Sequence, residues 1–287
     1  KKQNIYNIDA WLATYAIKSS DFEFSVTNEI ISKERFRHYI KVPELTQFHF
    51  EITDYRTAAD INIDRPQAVE TLCTTELTSQ QKIFAQKLIV FAQTGNGELL
   101  GRGTLSHEEL TAKMLIATTY ARKMATDMRL IDPILYTDEA GNKLSICAKN
   151  ISAVYHEFNE QKGTQFVFCD LGTYKSHEWN VYSELKRKLV QDYNLPANEI
   201  RFAQEFTTEK ERNKMKQAVN NGEIRVIMGS TVLLGTGGNM QERAVAAHHL
   251  DTPWMPKDFI QRNGRLVRTG NNVAKLFAGN EVQILIY

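Results

Sequence analysis

Three residues near the end of the chain carry side chains suited to gripping phosphate. They are Gln261, Arg265 and Arg268, in the stretch FIQRNGRLVRTGN (259–271). Spacings of four and three put them on one face if the stretch is helical. Two guanidiniums on one face repel each other unless an anion lies between them or carboxylates surround them. Arginine's planar fork grips two phosphate oxygens and never loses its charge. Placed at a transferring phosphoryl group, such a residue stabilises developing charge, an effect on the order of 10³-fold or more in rate. The bland alternative is a solvated basic helix face. Gly264 argues against it, because a glycine inside a helix costs ~1 kcal/mol relative to alanine and invites a close-approach explanation.

Two other stretches carry polar chemistry where strands end. DLGT (170–173) follows TQFVFCD, and its small residues expose backbone N–H groups, with Thr173 a candidate phosphate contact. An ordinary turn competes with that reading. MGSTVLLGTGGNMQER (228–243) offers the Ser230 and Thr231 hydroxyls, then Gly235, Gly237, Gly238 and Asn239, where the backbone can approach a ligand closely. It is no dinucleotide fingerprint, because Met240 stands where G-x-G-x-x-G needs glycine. A flexible loop is the alternative here.

The remaining candidates favour structural roles. GNGELLGRG (95–103) lacks the spacing and the Lys-Ser/Thr pair of a phosphate-binding loop, and DEAG (138–141) reads as a polar turn. His248, His249 and Asp251 lie too close along a strand end to share a metal, since adjacent side chains point to opposite faces. One histidine is expected in the core and the other near the site. Trp254, between Pro253 and Pro256, reads as a packed corner, with base stacking as the alternative. The run Lys186, Arg187, Lys188 reads as a solvated helix face. Arg35, Arg37, His38 and Lys41, with Phe36 and Tyr39 interleaved, carry the same ambiguity between a DNA backbone contact and a solvated face. Cys73, Cys147 and Cys169 match no metal spacing and read as reduced, buried thiols of a cytoplasmic protein. No metal site is expected within the chain.

The elements that must hold these residues follow from periodicity. Residues 1–140 read as a mainly helical region, with apolar residues at helical spacing from Ile8, Leu45 and Ile83, a capping box at Ser106/Glu109 and a short strand near Phe22. Residues 141–287 alternate. Strands TQFVFCD, NEIRFA, EIRVIMGS, AVAAHHLD and VQILIY are separated by helices, the last of them PKDFIQRNGRLV with Pro256 in its first turn. Such alternation implies a parallel sheet with helices on both faces, an α/β fold whose ligands sit at the strands' carboxyl ends. The polar loops and the arginine helix are expected to meet on that edge. The net charge of +1 limits any nucleic-acid contact to a local patch, and no apolar run reaches the ~20 residues of a membrane span. The chain has no initiator methionine and ends on an apolar run, so it reads as cut from a longer protein.

Together the stretches resemble the nucleic-acid-dependent helicases and translocases of superfamily 2, in the second of their two RecA-like lobes. Q-x-x-G-R-x-x-R (Gln261, Gly264, Arg265, Arg268) resembles that family's arginine-finger motif, and GSTVLLGTGGNMQ the motif before it. AAHHLDTPWMPKDFIQRNGR is similar to the chromatin-remodeller-like subset. EIRVIMGST…GTGGNMQERAVAAHHLDTPW resembles the helicase half of bacterial and phage helicase–DNA-methylase polypeptides of mobile elements. The resemblance covers residues 145–287, extends more weakly over 111–135 and is only suggestive before that. It implies a C-terminal fragment of an ATP-dependent DNA helicase or translocase. Arg265 and Arg268 would reach ATP phosphates and Gln261 would couple them to the loop at Gly235, Gly237, Gly238 and Asn239. Thr173, Ser230 and Thr231 would hold DNA phosphates. ATP and Mg²⁺ would be bound mainly by an N-terminal RecA-like lobe of the same parent chain, so the fragment alone would be inactive. A methylase domain would be a further partner, and the cytoplasm of a bacterium the location. The alternative is a RecA-like module without catalysis that docks DNA or protein.

Overall fold

The computed structural model describes residues 7–24, 30–54, 56, 60, 63–235 and 238–287. Its first elements are α1 (Ile8–Tyr15), β1 (Ala16–Phe24), β2 (Ile30–Tyr39) and α2 (Val42–Ile52). Next come β3 (Gln67–Leu72), α3 (Ser79–Thr94), α4 (His107–Thr111) and α5 (Lys113–Thr126). The alternating part follows as α6 (Lys143–Glu157), β4 (Thr164–Phe168), α7 (Val181–Gln191), β5 (Ile200–Phe202) and α8 (Glu209–Asn221). It ends with β6 (Val226–Gly229), α9 (Thr231–Gly235), β7 (Ala244–His249), α10 (Pro256–Asn263), α11 (Asn272–Phe277) and β8 (Glu281–Ile286).

Two compact units result. One comprises Lys1–Ile63 with Ile89–Met114, the other Asp64–Leu88 with Leu115–Tyr287. The boundary drawn from sequence at residue 140 therefore does not coincide with either unit's limits. The reason is β3, whose sequence QAVETL exposes all six residues. An edge strand without an apolar face leaves no periodic signal. The first unit is mainly helical, as expected, and holds an antiparallel hairpin, β1 with β2, running from Ala16 opposite Tyr39 to Phe24 opposite Ile30. Only part of β1 shows in the sequence, because charged residues interrupt the alternation. The capping box at Ser106 and Glu109 forms as expected and starts α4.

The second unit is built on a six-stranded sheet in the order β3-β8-β7-β4-β6-β5, every pair parallel. Five of these strands are the ones expected, and β3 adds a sixth at the edge. Alternation along β4 splits the core. Val167 and Cys169 face a layer with Leu144, Ile151, Tyr182 and Leu185 from α6 and α7. Phe166 and Phe168 face Met215, Val219, Leu234 and Ala274 from α8, α9 and α11. Helices thus cover both faces, as a parallel sheet requires. The helix read as running to Val267 ends at Asn263. Gly264 is its C-cap, not an interior residue, and a Cβ there would lie 3.2 Å from the Ile260 carbonyl oxygen.

Buried charge ties the polar segment before α6 to α7. Arg129 donates to Asp127 (2.8 Å), Asp138 (3.0 Å) and Glu184 (3.1 Å), and Lys188 pairs with Asp138. Asp138 of the DEAG turn is therefore an anchor. The expected solvated face at 186–188 is corrected here: Lys188 is buried, Arg187 pairs with Glu184, and the Lys186 ammonium caps the Ile200 carbonyl.

Both His248 and His249 are buried, His248 within the sheet and His249 against Arg262. The His248 ring bridges the Tyr287 hydroxyl and the Gln165 amide oxygen, each at 2.9 Å. Burial, and then the neighbouring His249, drive its pKa down to about 3. Burial likewise takes His249 down to about 4, against the pull of its bond to Asn263 and with a push from Arg262. Unfolded, both rings take up protons below the ordinary value near 6.5. Between about pH 4 and 6.5 the unfolded chain thus binds more protons than the fold, and stability falls as pH drops. Each histidine contributes a slope of about 1.4 kcal/mol per pH unit. Urea midpoints at pH 7.5 and pH 5.0 test this. A midpoint that is the same at both values contradicts the buried neutral pair.

Candidate functional site at the carboxyl edge of the sheet

The loops after β4, β6 and β7 meet around a residue that the sequence reading passed over. Arg262 is fully buried, and its five donors each meet an acceptor. Nε donates to the Thr231 hydroxyl (2.9 Å). Nη1 donates to the Asp251 carbonyl (2.8 Å) and to His249 Nδ1 (3.3 Å). Nη2 donates to the Asp170 (2.8 Å) and Asp251 (3.1 Å) carboxylates. His249 can accept there only as the tautomer that donates through Nε2 to Asn263 Oδ1 at 2.8 Å. Asp170 closes the knot by accepting from the Thr231 amide and hydroxyl, both at 2.7 Å. Asp251 accepts the Asp170 and Leu171 amides at 2.7 and 3.1 Å. One guanidinium thereby fixes three strand ends.

The two carboxyls respond in opposite directions. Burial alone would raise Asp170, but the Thr231 bonds and the Arg262 charge outweigh it and hold it below the usual range. Burial pushes Asp251 up, and Arg262 offsets only part of that. Both acids are turned onto Arg262, and among the described residues no group of His, Cys, Asp and Glu could hold a metal ion.

Gln261 and Arg265 converge on one atom. The Gln261 amide donates to the Gly235 carbonyl at 2.8 Å, and the Arg265 guanidinium donates to the same oxygen. That oxygen ends α9, where a carbonyl lacks an intrahelical donor. The stretch read as a loop is thus helical over Thr231–Gly235, with Ser230 Oγ 3.4 Å from the Leu233 amide. Arg268 lies elsewhere, in a pocket beside Asp64, Arg65 and Asn280 near the amino ends of β3 and β8. It does not join the carboxyl edge where the loops and the arginine helix were expected to meet. The cause is the early end of α10, after which 264–271 turns along the neighbouring face. Burial, and then the Arg268 charge, lower the proton affinity of Arg265, so the two guanidiniums still feel each other.

The remaining expected site residues fall as follows. A Cβ at Gly235 would make only ordinary contact, 3.6 Å from Thr231 and 3.7 Å from Gln261. Gly237 lies outside the described residues. Gly238 has a positive φ of 111°, and a Cβ there would overlap the Lys216 side chain at 2.4 Å. Asn239 is exposed, its carbonyl accepting from Asn220 at 3.1 Å. Thr173 is half-buried beside Gly172, and the Thr231 proton is spent on Asp170. A cleft of about 340 Å³ opens on this edge between Arg122, Thr231, Val232, Trp254, Asp258 and Gln261. Trp254 is 67% exposed there, with the Arg122 guanidinium 4.9 Å above its ring, so it is not the packed corner expected from its flanking prolines.

Two segments of the chain match known families. Residues 149–270 match the helicase conserved C-terminal domain. Arg262, Gln261, Arg265 and Arg268 all fall inside it, and the six-stranded parallel sheet flanked by helices is the RecA-like fold of a helicase C-terminal lobe. Residues 1–57 match a second family described as a probable helicase domain. Among solved structures, the C-terminal part of the Fun30 ATPase domain is similar over 77% of this chain and 85% of its own, at 13% identity and a TM-score of 0.46. The Sulfolobus solfataricus SWI2/SNF2 ATPase C-terminal domain covers 77% and 79%, at 12% identity and 0.46. S. cerevisiae Dbp5 bound to RNA and ADP BeF3 covers 49% and 32%, at 17% identity and 0.31. No curated protein matches the chain.

Proposed function

We propose that this chain is the C-terminal lobe of a superfamily 2 DNA helicase or translocase, supplying arginine fingers and part of the DNA track. The observation that carries this reading is the placement of Gln261 and Arg265 on the carbonyl that ends α9, inside the segment that matches the helicase C-terminal domain. A residue pair that holds the loop after β6 can pass movement between a nucleotide and that loop. Thr173 and Ser230 are the residues of this edge left to meet DNA phosphates, since both Thr231 donors are held by Asp170, and such backbone contacts carry little sequence information. ATP and Mg²⁺ belong mainly to a partner lobe with a G-x-x-x-x-G-K-[ST] loop, a pattern the sequence of this chain lacks. This lobe offers guanidiniums for phosphate oxygens, while its two edge acids are committed to Arg262.

The likeness of Glu223–Trp254 to helicase–methylase polypeptides supports a methylase in the same parent, and three free thiols, two of them buried, fit a reducing bacterial cytoplasm. ATP turnover by a polypeptide carrying both lobes, with and without duplex DNA, tests the assignment. Stimulation by DNA is expected, together with turnover well below ~1 s⁻¹ for the present chain alone. Turnover indifferent to DNA, or an isolated chain that hydrolyses ATP at enzyme-like rates, would refute it and favour a docking module.

A further inference from the structure

We infer that Arg65, Arg268 and Lys275 form a binding pocket for a phosphoryl group at the amino ends of β3 and β8. A cavity of about 200 Å³ is lined by these three cations with Asp64, Asn272 and Asn280. The strand ends set its floor: Gln67 opens β3 opposite Glu281 of β8, and the Gln67 amide donates to the Asn280 carbonyl at 2.8 Å. Lys275 pairs with Asp64, the acid of the cavity. Arg65 and Arg268 have no ion pair among the described residues, so the cavity carries an excess of positive charge. Asn280 lines the same cavity with its side chain uncommitted. Its Oδ1 is buried without a hydrogen-bond partner, and its amide nitrogen has no bond to any described residue. As it stands, the amide nitrogen keeps two uncommitted donors for an anion.

Size and charge define the ligand class. Pockets that enclose drug-sized ligands run to about 300–1,000 Å³. This cavity is smaller, and three cations against one acid suit a multiply charged phosphoryl group without its nucleoside. Arginine's fork matches such oxygens in pairs. The inference rests on the proposed function only for the source of that group, the terminal phosphate of a nucleotide held by the partner lobe. What it adds is Arg65, brought from far upstream by β3, as a partner of Arg268. A phosphate of the DNA backbone is the other possible source.

Calorimetric titration of inorganic phosphate and pyrophosphate into the purified chain tests the pocket. Saturable binding is expected, weakened about tenfold or more by Arg65→Ala and by Arg268→Ala, and partly retained in Arg65→Lys. Circular dichroism establishes that each variant is folded. Arg65 is exposed, so its variant keeps the test alive if Arg268→Ala fails to fold. No binding, or binding indifferent to Arg65→Ala, overturns the pocket even if ATP turnover by the two-lobed polypeptide depends on Arg268. Loss of phosphate binding in both variants, with ATP turnover untouched by Arg268→Ala, keeps the pocket and removes Arg268 as a finger. In the two-lobed polypeptide, Arg65→Ala then identifies the source. Lower ATP turnover at unchanged DNA affinity assigns the pocket to the nucleotide, and lower DNA affinity at unchanged turnover of the bound complex assigns it to the DNA backbone.

Discussion

Arg262→Ala is expected to cost about 3–5 kcal/mol of stability, the usual penalty for removing one partner of a buried ion pair. The substitution strips five hydrogen bonds at once and leaves Asp251, only 3% exposed at its side chain, facing Asp170 without the cation between them. Domains of ordinary stability have only about 5–15 kcal/mol to lose. Arg262→Lys should recover little, because an ammonium cannot span Thr231, His249 and two carboxylates as a planar fork does. Adding Asp251→Asn to the alanine variant should restore part of the loss, since the stranded charge is gone. Urea unfolding of the single and double variants measures both effects. A loss below about 1 kcal/mol for Arg262→Ala would mean the clasp is not what holds the three strand ends together.

That clasp also shows where sequence reading stops. The five strands from TQFVFCD to VQILIY were legible because buried parallel strands are short apolar runs bounded by turn residues. One helix between them is bounded by the usual signals, a capping box of Thr208 with Glu211 opening α8 and Gly222 closing it. β3 was illegible because its side chains touch no core. Arg262 was illegible for a different reason. Beside Gln261 and three residues before Arg265 it looks like one more cation on a basic helix, and only the distant Asp170 and Asp251 show that it points inward. The usable signal was the set of polar residues at three strand ends, which the parallel topology must bring together, with one arginine adjacent. Arg268 was placed on the wrong edge for a local reason, since a glycine three residues after Gln261 ends α10 instead of lying within it.

Arg268→Ala in a polypeptide carrying both lobes is expected to lower kcat for ATP on the order of 10³-fold, the effect of losing an arginine that meets phosphate only as charge develops. The expectation follows from what Arg268 lacks. Its neighbour Arg265 already serves the fold by holding the Gly235 carbonyl, whereas Arg268 is half-buried with no ion pair among the described residues. A guanidinium kept in that state gains nothing for the lobe by itself and is ready for an anion from outside. An interaction made only in the transition state lowers kcat and kcat/KM together and leaves ATP affinity nearly unchanged. Arg265→Ala should differ in kind. It removes a donor from the end of α9, so it should lower the thermal midpoint as well as the rate, and the loss of rate should track weaker coupling to DNA. Steady-state kinetics with a parallel melting curve separates the two arginines. If Arg268→Ala leaves kcat within about twofold of wild type while ATP and DNA still bind, Arg268 is not a finger, and this helix end is a basic surface that happens to carry the family's spacing.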